Sequence, residues 1–116
     1  MHTTNDQALL PHQRMDVYRA AYALCVRVRE AKIRHAELRD QAERASVSAF
    51  LAVSEGLPHT SAGMRKQYFA RARASVWETA GAIHLAVGLG AMDHEGWRAC
   101  QEVAVRTSAM LVAMLR

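Results

Sequence analysis

The ten residues from Ala45 to Ser54, ASVSAFLAVS, carry no charge, no proline and no glycine. Ala45, Ala49 and Ala52 recur at helical spacing, and so do Ala42 and Ser46. A helix that is small and apolar nearly all round is normally buried on more than one side. Small side chains let neighbouring helices approach to about 8 Å, the short end of the usual range. The segment from Leu38 to Gly56 is therefore expected to be the inner helix of a bundle, with the rest of the chain arranged around it.

The remainder of the sequence agrees with an all-α protein. Only two prolines and six glycines interrupt 116 residues, which favours long helices. The β-branched residues are scattered singly and never alternate with polar ones, so strands have no support. An apolar fraction of 51% against 22% charged fits one soluble domain with a real core.

Taken in order, residues 1–12 are expected to form a flexible or loosely docked arm, and residues 13–116 a four-helix bundle. Helix 1 is predicted from Gln13 to Arg34, with Val17, Ala21, Leu24, Val28 and Ala31 as its apolar seam. Glu30 and Arg34 are spaced for an i,i+4 pair. Helix 2 is predicted from Ala36 to Glu55, with Asp40 and Arg44 as a second such pair. Gly56 is expected at C′ and Pro58 just beyond, blocking continuation. Ser61 is a good N-cap for helix 3, which runs to about Leu89 with Tyr68, Ala72, Val76, Ala80, Ile83 and Val87 on its apolar face. Gly90 is expected to close it. Asp93 is expected to cap helix 4, from His94 to near Leu115, whose seam holds Trp97, Cys100, Ala104, Ser108, Leu111 and Leu115. Short connections between four amphipathic helices give an up-down-up-down bundle.

Few kinds of chemistry are suggested. The six histidines show no His-x3-His or Glu-x-x-His spacing, so no metal site or cofactor is predicted. No general base stands beside Ser46, Ser48 or Ser54, so nucleophilic catalysis has no support and the protein is expected not to be an enzyme. Cys25 and Cys100 belong to no CxxC pair and sit among apolar residues, as buried free thiols do. The N-terminus lacks the basic start and apolar core of a signal peptide, and no apolar run is long enough to span a membrane. A cytoplasmic location with no membrane partner is expected.

Charge is the remaining signal. The net charge is +4 and thirteen of the fifteen basic residues are arginine. Arg65, Lys66, Arg71 and Arg73 crowd the first half of helix 3, with no acid before Glu78. Cations near a helix N-terminus oppose the macrodipole, so something must offset them. Solvent is one answer. An ion pair from Glu55, at the end of helix 2, to Arg65 or Lys66, within or between subunits, is another. The phosphates of RNA or DNA are a third. There is no RNA-recognition signature and no zinc knuckle, so such binding would run through phosphates.

The chain resembles the four-helix-bundle proteins encoded in intervening sequences of bacterial 23S ribosomal RNA genes. The likeness rests on Val17-Tyr18 and Ala21 in helix 1. In helix 2 it rests on Leu38, Gln41 and Arg44-Ala45-Ser46-Val47-Ser48, closed by Glu55-Gly56. In helix 3 it rests on Ser61, Tyr68-Phe69, Ala72, Ser75 and Glu78, ending in Leu89-Gly90 after Ala86. The chain departs from the family where Phe50 and Ala52 replace a usual Pro and Asn, and where Met64 and Arg65 replace an acidic residue and Phe. The resemblance implies a homo-oligomer, plausibly a pentamer, of unsettled role and without enzymatic activity. It also implies relatives among the accessory proteins of diversity-generating retroelements, which bind a reverse transcriptase and nucleic acid. A ring of five would carry about +20, a field that attracts polyanions. A protein adaptor with no direct nucleic-acid role, with a reverse transcriptase as one such partner, is the alternative.

Overall fold

The computed structural model describes residues 8–116. It is built from four helices, α1 (Asp16–Glu30), α2 (Ala36–Gly56), α3 (Ala62–Gly88) and α4 (His94–Met114), preceded by a short 3-10 turn at Pro11–Arg14. Among the described residues there is no strand. Each helix packs on its sequence neighbours, and α1 closes the square against α4. The result is the up-down-up-down bundle expected from the short connections. Residues 1–7 of the expected N-terminal arm lie outside the described residues. The 3-10 turn that follows is tied to α1 by Gln13 Nε2, which donates to the Tyr18 hydroxyl at 3.0 Å.

The helix boundaries follow from identifiable local chemistry. Ser61 caps α3 as expected, its hydroxyl accepting from the Met64 N–H at 3.3 Å. Gly90 ends α3 at φ 75. Its N–H donates to the Val87 carbonyl and the Ala91 N–H reaches back to Ala86, which is a Schellman closure. Helix α1 stops at Glu30, short of the expected Arg34, because Lys32 turns into the left-handed region at φ 54. The chain then drops Ile33 into the core at 2% exposure. Arg34, freed from the helix, reaches across the bundle end instead of pairing with Glu30. Its Nη1 meets Asp93 Oδ1 at 3.2 Å, its Nη2 donates to the Gly90 carbonyl, and its backbone N–H donates to the Ala91 carbonyl at 2.7 Å. Asp93 occupies the N-cap of α4, but its carboxylate serves Arg34 and not the helix N–H groups.

The core is built of Leu24, Val28, Val53, Val76, Ile83, Val103 and Leu111, all nearly inaccessible. Each such side chain contributes roughly 1.5–3 kcal/mol by leaving water. The inward face of α3 is rotated from the expected one. Ala72, Val76 and Ile83 are buried as expected, but Phe69, Ser75, Thr79 and Ala86 join them, while Ala80 and Val87 pack at the margin and Tyr68 is half-buried. The rotation is possible because Thr79 Oγ1 donates to the Ser75 carbonyl at 2.8 Å and so enters the core satisfied. Thr107 does the same toward Val103 in α4.

Helix α2 is not the enclosed inner helix expected. Ala42, Ala45, Ala49, Ala52 and Val53 are buried against α1 and α3, but Val47 and Leu51 are 47% and 49% exposed. Its alanines serve close approach on two sides and leave the third open. Gly56 is also not the expected C′ residue. It is the last residue of the helix, where a Cβ would stand 2.8 Å from Tyr68 Cβ and 3.0 Å from Phe69 Cε1. Glycine is needed there because α3 crosses too close for any side chain.

Candidate nucleic-acid interface

The open side of α2 is the floor of a shallow cavity of about 650 Å³. Val47 and Leu51 form the apolar centre, with Cys25 of α1 beside them. Three guanidinium groups surround it, one from each of three helices: Arg29 from α1, Arg44 from α2 and Arg71 from α3. None of the three makes an ion pair among the described residues. Arg44 Nη2 donates to Gln41 Oε1 at 3.1 Å, so the expected Asp40–Arg44 pair is not made, and Asp40 lies 3.9 Å from Arg39 instead. Arg29 also lines a second cavity at the α1–α2 turn, shared with Lys32, Arg34 and Arg39. Arginines thus recur from that turn, along α2, to Arg71, with Glu43 lining both cavities and Glu55 at the far rim. Arg44 and Glu55 are eleven residues apart, so the α2 part alone spans roughly 16 Å.

The structure separates the four cations that crowd the start of helix 3. Arg65 is half-buried over the α2–α3 turn, where its Nη1 donates to the His59 carbonyl at 2.7 Å. Within the protomer that carbonyl takes the place of the Glu55 ion pair expected from the sequence. Glu55 is exposed and stands on the cavity rim with Arg71. Lys66 is exposed. Arg71 lies with its guanidinium carbon 5.1 Å from the centre of the Tyr68 ring, and His59 stacks on Tyr68 at 5.2 Å and 17°. Arg65, His59, Tyr68 and Arg71 thus form one linked corner. Arg73 turns away toward α4 and packs 4.8 Å from the Trp77 ring centre.

Charge clustering along the chain does not pick out Arg29 or Arg44. A signal for Arg44 is present, since Arg44, Val47, Leu51 and Glu55 fall on one helical stripe. Arg29 joins that stripe only through the packing of α1 on α2. The Cys25 thiol donates to the Ser46 carbonyl at 3.0 Å, and burial raises its pKa, so it faces the cavity as a neutral thiol. Both cysteines are free. Among the described residues no three His, Cys, Asp or Glu side chains come together to hold a metal ion. No helix among them is long and apolar enough to cross a membrane.

A different surface lies across α3 and α4. Trp77, Leu85 and Val105 are more than half exposed there, with Gly81 open beside them. The indole N–H donates to Ser108 Oγ at 3.0 Å, which fixes the ring in place.

Compared with known proteins, the chain has no match among curated sequences. Residues 13–113 match the family model described as 23S rRNA-intervening sequence protein.

Proposed function

Since the chain belongs to the 23S rRNA-intervening sequence protein family, we propose that it is a non-enzymatic, RNA-associated protein that holds nucleic acid on the guanidinium surface of α1, α2 and α3. One observation carries the reading. Arg29, Arg44 and Arg71 come from three helices to one open surface that Glu43 and Glu55 also line, and none of the three is paired with a carboxylate among the described residues. Unpaired guanidinium groups around a shallow trough suit a phosphate backbone, which each can grip with two parallel N–H groups. Binding of this kind releases counterions, so it weakens steeply with salt and carries little sequence preference.

The test is a titration of nuclease-treated protein with labelled RNA, single-stranded DNA and duplex DNA at several salt concentrations. Micromolar or tighter binding is expected. Arg44→Glu with Arg71→Glu should weaken it and lower the salt slope by about one for each phosphate that is no longer gripped. No binding at low salt would end the reading.

A second surface supports self-association as part of the same reading. Trp77, Leu85 and Val105 make an apolar face with a fixed indole at its centre, the kind of anchor that dominates interfaces. A second copy of the chain is the proposed occupant, with a closed ring of five as the assembly that the family resemblance favours. A face filled instead by another protein, such as a reverse transcriptase, would leave the purified chain monomeric.

A further inference from the structure

The corner made by His59, Tyr68 and Arg71 does more than add charge. His59 is stacked on Tyr68, nearly parallel to it, and the Arg71 guanidinium carbon lies 5.1 Å from the centre of the same phenol ring, a cation–π contact. Arg65 fixes the turn beneath them through the His59 carbonyl. Arg71 is exposed and lines the cavity, so its guanidinium is accessible to a ligand lying there. The apolar floor of Val47 and Leu51 continues from that point. A phosphate chain needs neither feature. It takes N–H groups at the edge of a guanidinium, not its face, and gains nothing from exposed apolar side chains.

We infer that this corner binds an unpaired nucleobase, which stacks on Arg71 and completes a Tyr68–Arg71–base sandwich while a flanking phosphate meets Arg44. The inference rests on the nucleic-acid reading above and narrows its ligand class to unpaired strands. A base in a duplex offers only its edges, whereas an unpaired base offers its whole π-face. The Arg71 side chain is already held by Tyr68, so less of its freedom is lost on contact.

The experiment uses the full chain and two probes of equal length: a uridine-rich RNA strand carrying one 2-aminopurine, and a duplex in which that base is paired. Anisotropy reports binding and 2-aminopurine fluorescence reports stacking. The wild-type protein should bind the single strand about five- to tenfold more tightly than the duplex and quench the probe. Arg71→Lys keeps the charge and loses the plane, so it should erase the quenching and the preference, with single-strand affinity falling about five- to tenfold further than duplex affinity. Tyr68→Leu should act in the same direction. Equal binding of both probes with no effect of Arg71→Lys would overturn the stacking site and leave the phosphate reading intact. An equal drop in affinity for both probes would also overturn it, since Arg71 would then be only a phosphate ligand. No binding of either probe at low salt would remove the nucleic-acid reading and this inference together.

Discussion

Replacing Gly56 with alanine should destabilise the protein, although alanine is the better helix former. Gly56 ends α2 in a helical conformation, so on propensity alone the added methyl would stabilise by about 0.5–1 kcal/mol. The packing opposes this. The new Cβ would meet Tyr68 Cβ at 2.8 Å and Phe69 ring atoms at 3.0 and 3.3 Å. Carbon atoms settle at about 3.5–4.0 Å, so α3 must retreat by roughly 0.7 Å or more at that crossing. Tyr68 Cβ is fixed to the α3 backbone and cannot rotate out of the way. Phe69 is 2% exposed and has no free space to enter. Overpacking of this kind costs about 1–3 kcal/mol, which after the propensity gain leaves a net loss of up to about 2.5 kcal/mol. For a domain near one hundred residues this lowers Tm by up to roughly 10 °C. Gly81→Ala is the internal control, because a Cβ there meets nothing within 4 Å. It should stabilise by about 0.5–1 kcal/mol. Thermal melts of both variants and wild type, followed by circular dichroism at one dilute concentration, decide the matter. A Gly56→Ala protein that melts at or above wild type would refute the close-crossing argument.

Two further outcomes are expected. Burial pushes the Cys100 thiol up to about 11 from its ordinary 9.0; the unfolded chain therefore loses its proton first, and the contribution of this group to stability is complete below pH 9 and is lost as pH rises toward 11. Chemical denaturation at pH 7 and pH 10 should show that loss, and Cys100→Ala should remove this part of the pH dependence. For self-association, light scattering at tens of micromolar should give a mass several times that of the 12.9 kDa chain, reduced by Leu85→Glu or Val105→Glu; a monomeric wild type would refute it.

How legible each part is in the sequence depends on the range of the interaction behind it. Ser61 and Gly90 announce their roles because a cap and a Schellman turn are made by residues a few positions apart. Lys32 gives no such notice: nothing about a lysine predicts φ 54, so helix 1 reads too long and the Arg34–Asp93 bridge stays hidden. The face of α3 is misjudged for a related reason. Ser75 and Thr79 look polar in a sequence, yet the Thr79 hydroxyl enters the core by bonding its own helix and the Ser75 hydroxyl by bonding Ser48 of α2. Gly56 reads as a helix stop, and only the crossing of α3 reveals it as a point of close approach. At the candidate interface, the clustered Arg71 stands out by charge alone, whereas Arg29 needs a second helix to bring it there.

The Arg34 bridge also braces one end of the bundle. Through one backbone N–H and one guanidinium, the α1–α2 turn is tied to the α3–α4 turn, nearly sixty positions away in the chain. At the opposite end the α2–α3 turn is fastened too, by Arg65 on the His59 carbonyl and by the close crossing of Gly56 against Tyr68 and Phe69. The basic corner therefore stands on a braced platform, and a ligand that meets it finds Tyr68 and Arg71 already positioned.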